Sequence, residues 1–399
     1  MASNLAAFRS RDFRIYFAGN ALSLNGFWMQ RVSVGWLAWD LTGSAAFVGL
    51  IAFLTYLPNA TTGPFFGVLA DRLPIKRTAV IVQSLLFGAA SLLFIAFMAG
   101  ILSPMVLVLF SLIYGLVASA YSPIRLSLAP RLVPREAVGS VVALTSINFN
   151  IARMIGPALG GTIIATWGIG PALFIQAALF APFAFALSLL TPRERVRPEG
   201  PLPPFLSDMM DGVRHLLASA LIRRAVALTL IFGIVVRGVL EILPVIADGV
   251  FDKGAVGLGL LTSAAGIGAL VAGFSKAVMP AQKAGEIPKT AYLAIVLGIA
   301  ATMLLAQTTS WVVAVTLVAV LAFAVSAAGI GVQTAIQIDL DDDFRGRVMS
   351  LYFMVAIGSA AFGAAVIGWL SDLVGFQATL TAFGVIALVG LGLLALRGR

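Results

Sequence analysis

Four charged side chains lie within the long apolar stretches of this 399-residue sequence: Arg31, Arg153, Arg237 and Glu241. A charge inside a membrane-spanning helix costs about 2.5–3.5 kcal/mol on insertion scales, so each of the four is a candidate functional group. Guanidinium groups bind carboxylates and other acceptor oxygens, and a buried glutamate is suited to carrying a proton. The excess of arginine over glutamate therefore predicts an interior site for a ligand with negative charge or many acceptor oxygens.

Each of these residues also has a purely structural interpretation. Arg237 and Glu241 are four residues apart, which places them on one face of a continuous helix. They form either a self-neutralising pair or a site in which Glu241 couples transport to protons. Arg153 either braces its helix through neighbouring carbonyl groups or contributes to binding. The predicted substrate-binding residues are Asn25, Gln30, Arg31, Tyr56, Asn148, Arg153, Arg237 and Glu241, and the candidate apolar walls are Phe27, Trp28, Trp36, Tyr56 and Tyr121.

The composition determines which elements hold these residues. Apolar residues make up 60% of the chain and charged residues only 11%, with a mean hydropathy of +1.03. A soluble domain carries about 25% charged residues, and one membrane span needs about 20 apolar residues. We therefore predict an all-α membrane protein. Its twelve expected spans are 13–39, 44–70, 78–100, 104–129, 138–166, 170–191, 224–247, 256–276, 290–307, 311–338, 348–370 and 377–396.

The basic residues predict the orientation of these spans. With the N-terminus inside, 22 of the 26 Lys and Arg residues fall in or beside inner segments, and only Lys253 falls in an outer loop. Cytoplasmic loops carry such an excess of Lys and Arg, so both termini are predicted to be cytoplasmic. The net charge of +9 is then a signal of topology, and we expect no nucleic acid partner.

Several kinds of chemistry have no support in the sequence. It contains no cysteine and a single histidine, His215, which disfavours metal sites and thiol nucleophiles. A phosphate-binding loop of the Walker type is also absent, which disfavours ATP-driven transport. We predict no catalytic residues, no metal and no cofactor, and an intramembrane enzyme is the least favoured class.

A polar linker divides the chain into two sets of six spans. We predict an N-terminal half over 1–191, a cytoplasmic linker over 192–222 and a C-terminal half over 223–399. The linker contains helically spaced apolar residues from Phe205 to Leu221, which fit either a helix on the inner membrane surface or an ordinary linker helix. Features repeat at an offset of about 207, with Arg31 matching Arg237, and such repeats are typical of transporters.

Two motifs resemble signatures of the major facilitator superfamily. The loop between spans 2 and 3 resembles its first cytoplasmic loop, and span 5 resembles its antiporter motif G-P-x-x-G-G. The inner start of span 11 and the opening of the chain, Phe13-Arg14-Ile15-Tyr16-Phe17, resemble the drug- and siderophore-exporting branch. The motif residues are Gly67, Asp71, Arg72, Lys76, Arg77, Gly156, Pro157, Gly160, Gly161, Arg345 and Arg347.

The resemblance implies a twelve-helix major facilitator fold and a multi-pass protein of the bacterial inner membrane. It implies a secondary active exporter that moves an amphipathic or anionic small molecule in exchange for protons by alternating access, and we expect a monomer. Asp71 and the segment Arg345–Val348 are expected to form an inner latch. An importer or a lysolipid flippase of the same fold remains an alternative, as does a receptor or scaffold that transports nothing.

Overall fold

The computed structural model describes residues 5–193, 205–277, 282–283, 285–340 and 342–396, and within these ranges it contains helices and no β-strands. Thirteen α-helices follow one another along the described chain. They are α1 (Arg11–Thr42), α2 (Ala45–Arg72), α3 (Ile75–Met98), α4 (Pro104–Leu128), α5 (Val138–Trp167), α6 (Ile169–Leu189), α7 (Phe205–Ala218), α8 (Ala220–Phe232), α9 (Gly254–Ala277), α10 (Lys289–Gln307), α11 (Trp311–Asp339), α12 (Asp342–Val374) and α13 (Phe376–Leu396). Each of the twelve predicted spans coincides with one of these helices or, for the seventh, with α8 and its continuation.

By length and apolarity, ten helices of the described chain qualify as membrane spans, or eleven if the bent pair of α7 and α8 counts as one. Helix α1 is 32 residues long but is not among the ten. Its central residues include Asn20, Ser23 and Gln30, which lower the hydropathy of the segment. All three side chains are buried within the protein, so α1 keeps its polar groups away from the lipid.

The chain forms two compact units. Unit 1 contains Met1–Leu41, Thr61–Gly200 and Gly254–Ser263, and unit 2 contains Thr42–Ala60, Pro201–Lys253 and Ala264–Arg399. Most helices belong to one unit, but the first part of α2, up to Ala60, packs in unit 2 and the first turns of α9 pack in unit 1. The predicted boundaries at 191 and 223 divide the chain into two halves along the sequence. These halves are not the same as the two compact units, so the boundaries remain a prediction.

Unit 1 is held together by close helix packing. Helix α3 packs on α4 and α6, and α5 packs on α6. At Gly161 of α5, an added Cβ would lie 2.6 Å from Gly259 Cα of α9, so a glycine is needed for this approach. The carboxylate of Asp12 in α1 accepts hydrogen bonds from Thr191 N and Thr191 Oγ1, at 2.8 and 2.6 Å. The side-chain hydrogen bond from Thr191 is the main cause that lowers the pKa of Asp12 below its ordinary value of 3.8.

In unit 2 the N-terminus of α2 is capped by a residue from the last turns of α12. Asp372 accepts hydrogen bonds from Ala45 N at 2.9 Å, from Ala46 N at 3.0 Å and from Ser44 Oγ at 2.6 Å. A carboxylate at a helix N-terminus satisfies amide groups that have no partner within the helix. A Cβ at Gly368 would overlap the backbone of Ala45, so the two helices touch through their main chains.

The predicted linker helix is present as α7, Phe205–Ala218. The axes of α7 and α8 differ by 102°, with the bend at Ser219, whose hydroxyl caps α8 by accepting from Ile222 N at 3.3 Å. Gly212 of α7 packs against Arg347 and Leu351 of α12. A helix roughly perpendicular to its neighbouring span has the geometry of a surface helix, and its contact with lipid stays a prediction.

Candidate functional site

Two of the predicted binding residues come together at a tryptophan in unit 1. The guanidinium carbon of Arg31, from α1, lies 5.3 Å from the centre of the Trp28 ring system. The guanidinium carbon of Arg153, from α5, lies 5.7 Å from the same ring system. Both distances are within the range of cation–π attraction. One indole therefore holds two positive charges that are 122 positions apart in the sequence.

The small residues of the antiporter-like motif bring α1 and α5 together at this point. A Cβ at Gly156 would lie 2.7 Å from Trp28 Cβ and 3.1 Å from the carbonyl oxygen of Asn25. One turn later, a Cβ at Gly160 would lie 3.4 Å from Met29 Cα. The predicted packing of another helix against this small-residue stripe is confirmed, and that helix is α1. The motif thus places Trp28 beside the turn of α5 that carries Arg153.

A third arginine extends the site, and sequence reasoning missed it. Arg125 of α4 lies 6.0 Å from the ring centre of Tyr121 and 5.7 Å from that of Phe149. The Phe149 ring is 5.7 Å from Trp28, and Phe27 lies beside both Trp28 and Tyr121, at 5.8 and 6.4 Å. We call the seven residues the arginine–aromatic cluster; its members are Phe27, Trp28, Arg31, Tyr121, Arg125, Phe149 and Arg153.

Arg125 is one of the 22 basic residues that the predicted topology assigns to inner segments or their borders, whereas the structure places it within α4. Its four-residue spacing from Tyr121 was the available signal, because residues at this spacing share a helix face. An arginine that shares a face with an aromatic residue inside a predicted span is a candidate for the interior. The positive-inside rule instead assigned it to topology.

Amide side chains lie beside the cluster. Asn20 Nδ2 donates to Tyr121 Oη at 3.1 Å, and Asn148 Nδ2 donates to Asn20 Oδ1 at 3.3 Å. This chain of bonds connects α1, α4 and α5 and includes the predicted residue Asn148. The predicted Asn25 donates to Ala21 O within its own helix, at 2.9 Å. Gln30 is 1% exposed, and neither its oxygen nor its nitrogen has a hydrogen-bond partner, so its amide is a buried polar group left unsatisfied.

Unit 2 places Arg237 in a different setting. Arg237 ends a π-helical segment, Gly233–Arg237, that continues α8, and such segments are frequent at functional sites. It lines a cavity of about 50 Å³ together with Thr229, Gly329 and Tyr352. The Tyr352 hydroxyl donates to Gly329 O at 3.5 Å. The cavity combines one cation with apolar walls from α8, α10, α11 and α12, among them Phe232, Ile295, Val325 and Ala356.

The helix that carries Arg237 and Glu241 is not continuous, contrary to the predicted span 224–247, and whether the two side chains share one face stays a prediction. Between them the backbone bonds change to the tighter i→i−3 pattern, from Leu240 N to Arg237 O, Glu241 N to Gly238 O and Ile242 N to Val239 O. Glu241 lies in the resulting turn, and a second π-helical segment follows at Val245–Val250. The four-residue spacing therefore does not describe the geometry of this pair. Whether Glu241 carries protons stays a prediction.

The other predicted residues lie outside the cluster. Tyr56 is half-buried in the part of α2 that belongs to unit 2, and Trp36 is half-buried further along α1. Lys76 and Arg77 lie in the first turn of α3, and Arg347 lies on α12 beside Gly212. The backbone places Gly67, Asp71 and Arg72 in the last turns of α2, but the side chains of Asp71, Arg72 and Arg345 lie outside the described part of the structure. The inner latch therefore stays a prediction.

Comparison with known proteins identifies the family. The sequence profile of the transmembrane secretion effector family, part of the major facilitator superfamily, matches residues 2–398. The enterobactin exporter of Salmonella typhi is 28% identical over 377 residues, which cover 91% of this chain and 83% of that protein. The enterobactin exporter of Escherichia coli O1:K1 / APEC is 27% identical over 359 residues, which cover 87% of this chain and 79% of that protein.

Solved structures show the same fold. The nucleoside transporter NupG matches with a TM-score of 0.73 and 15% identity, over 98% of this chain and 99% of that one. A bacterial homologue of the human lysosomal transporter Spinster, in an inward-facing and unoccupied conformation, matches with a TM-score of 0.72 and 16% identity, over 97% of each chain. The helical membrane fold and the resemblance inferred from the motifs are confirmed. The chain is a multi-pass protein of the bacterial inner membrane that belongs to the transmembrane secretion effector family of the major facilitator superfamily.

Proposed function

We propose that this protein exports an amphipathic or anionic small organic molecule, of siderophore or drug type, in exchange for protons and by alternating access. The observation that carries the proposal is the convergence of Arg31 and Arg153 on Trp28. The names of its relatives, which are enterobactin exporters, support both the outward direction and the class of substrate.

The cluster combines the two properties that such a substrate needs. Two neighbouring guanidinium groups repel each other, and an anionic group that binds near both relieves this repulsion. Charge-assisted hydrogen bonds to carboxylate or phenolate oxygens are about twice as strong as neutral ones. The rings of Trp28, Phe27 and Phe149 offer apolar surface within contact distance of one another. A molecule with an acidic group attached to an apolar body fits this arrangement.

Proton coupling is assigned to Glu241. It is the single acidic residue that the sequence places within a span away from its ends. It lies in a helix break next to Arg237, and discontinuous membrane helices are where transporters commonly bind substrates and coupling ions. In this scheme, a substrate anion engages Arg237, and Glu241 carries the exchanged proton in the same transport cycle.

Transport into inside-out membrane vesicles tests the proposal. We expect the wild-type protein to accumulate enterobactin and the anionic dye fluorescein in these vesicles, and a protonophore to stop the accumulation. Loss of charge-assisted hydrogen bonds worth about 1.5–3 kcal/mol should lower the apparent affinity for the anions about 10-fold to 100-fold in Arg31→Gln and in Arg153→Gln. The cation ethidium should be affected much less.

Three results would contradict the proposal. Accumulation in right-side-out vesicles alone would indicate an importer. Equal losses of apparent affinity for fluorescein and ethidium in both variants would show that these arginines do not select anions. Transport that is insensitive to the protonophore, together with full activity of Glu241→Gln, would show that transport is not coupled to protons. Arg223→Gln, which changes an arginine near the start of α8 outside the cluster, is the matched control for loss of one positive charge.

A further inference from the structure

Arg125 differs from the other two arginines of the cluster in its hydrogen bonding. Its Nε and Nη1 atoms are fully buried and have no hydrogen-bond partner, although the side chain as a whole is only half-buried. A guanidinium group carries five N–H donors and accepts none, so a partner for these atoms must supply acceptor oxygens or negative charge. The aromatic faces of Tyr121 and Phe149 hold the group in position without satisfying its N–H bonds.

Other polar atoms near Arg125 are also without partners. Arg125, Tyr16, Gln83 and Tyr121 line one small pocket between α1, α3, α4 and α6. The Tyr16 hydroxyl is buried and makes no hydrogen bond. Gln83 Nε2 donates to Ser23 Oγ at 3.0 Å and to the carbonyl oxygen of Phe180 at 3.1 Å, which fixes the orientation of the amide. The unpartnered atoms of the residues that line the pocket are thus the Tyr16 hydroxyl, Nε and Nη1 of Arg125, and one acceptor, Gln83 Oε1.

No described acidic side chain of unit 1 compensates the charge of Arg125. Asp12 is bonded to Thr191, Asp40 is exposed near the end of α1, and Glu136 is exposed in the short turn before α5. Buried charges in proteins are normally paired. Within the described residues of unit 1, the positive charge of Arg125 is therefore not compensated, and its Nε and Nη1 donors are free.

We propose that Arg125 binds a second acidic group of the exported molecule and so determines the preference of the protein for substrates with two or more separated negative charges. Arg31 and Arg153 lie over Trp28, whereas Arg125 lies over Phe149 and Tyr121. Arg125 therefore lies against rings other than the one that Arg31 and Arg153 share. This inference rests on the proposed export of anions, and it adds a separate residue and a separate preference.

A matched pair of aromatic acids tests the inference by ligand-induced thermal stabilisation of the purified protein. The probes are 2-naphthoate, with one carboxylate, and 2,6-naphthalenedicarboxylate, with a second carboxylate at the far end of the same ring system. We expect the wild-type protein to bind the dicarboxylate about tenfold more tightly, the effect of one charge-assisted hydrogen bond. Arg125→Gln should abolish this difference, because it should weaken the binding of the dicarboxylate about tenfold more than that of 2-naphthoate.

Both ligands are measured on the same variant, so a general loss of stability in Arg125→Gln affects both measurements equally and does not change their ratio. Arg125→Lys should restore part of the preference, because it keeps the charge. Arg131→Gln, six residues further along beyond the end of α4, is the control for loss of an inner arginine. Equal binding of the two acids by the wild-type protein would overturn the inference, as would an equal loss for both in Arg125→Gln.

The experiment also separates this inference from the proposed function. If 2-naphthoate binding and anion export depend on Arg31 and Arg153 but Arg125→Gln has no selective effect, the proposed function stands and the role of Arg125 fails. If Arg31→Gln and Arg153→Gln leave anion export intact, the proposed function itself fails. An internal ion pair with Asp71 would make Arg125→Gln and Asp71→Asn equally harmful for both acids, which contradicts the inference.

Discussion

The two units hold their interior arginines in different ways. In unit 1, Arg31, Arg125 and Arg153 extend from regular α-helices onto aromatic rings. In unit 2, Arg237 ends a π-helical segment and is followed by a turn with i→i−3 bonds. Regular helices that touch at glycines hold a charged side chain in one position. A segment in which the helical hydrogen-bond pattern changes can adopt more than one backbone conformation.

The difference suggests a division of work between the units. The arginine–aromatic cluster has the features of a preformed recognition site, with cations fixed before the ligand arrives. The segment from Gly233 to Val250 has the features of an element that changes shape during transport, since discontinuous helices recur at the moving sites of transporters. The following predictions test this contrast.

The largest effect is expected from Gly156→Ala in unit 1. The added methyl group would lie 2.7 Å from Trp28 Cβ and would push α1 away from α5. Overpacking of this kind costs about 1–3 kcal/mol, and it would separate Arg31 from Arg153. We expect a lower unfolding temperature and a loss of about tenfold or more in fluorescein affinity.

Gly160→Ala is the matched control for this change. Its added methyl group would lie 3.4 Å from Met29 Cα, an ordinary contact, and alanine is the better helix former by up to about 1 kcal/mol. We expect Gly160→Ala to retain wild-type stability and selectivity. If both variants lose anion selectivity equally, the cluster does not depend on the approach of Trp28 to Gly156.

A different kinetic signature is expected from Arg237→Gln in unit 2. If this region changes shape during transport, the maximal rate of fluorescein export should fall about tenfold while the apparent affinity, set in unit 1, changes by less than about threefold. The loss should be greater for fluorescein than for ethidium. An affinity loss as large as that of Arg31→Gln, with an unchanged maximal rate, would show that both units serve recognition alike.

The smallest effect is expected from Asp372→Ala, which removes a fixed contact of unit 2. Loss of a helix N-cap costs about 0.5–2 kcal/mol, so the amides of Ala45 and Ala46 should exchange with solvent faster. Hydrogen exchange measured by mass spectrometry should show no change over 233–250. Asp40→Ala, at an exposed aspartate near the end of α1, is the control. Faster exchange over 233–250 would show that the break in unit 2 depends on its rigid contacts.

The fold was largely predictable because the apolar interior of a bilayer permits few backbone structures. A helix satisfies its own backbone groups in lipid, so long apolar runs between charged loops predict the helices directly. The predicted segment 138–166 became Val138–Trp167, and 311–338 became Trp311–Asp339. The exception is the seventh span, where π-helical segments and a turn interrupt the helix, because four-residue periodicity assumes the regular hydrogen bonding that is lost there.

The site was predictable only in part. The sequence by itself predicted that Arg31, Arg153 and Arg237 lie within spans, because all three fall inside long apolar stretches. It also determined that Gly156 and Gly160 form a small-residue stripe. Tertiary structure alone decided that Arg31 and Arg153 share Trp28, that Arg125 lies over Phe149, and that Glu241 lies in a break of its helix. The physical reason is that hydropathy reports the transfer of one segment into lipid, whereas the environment of a charge depends on the neighbouring helices packed against it.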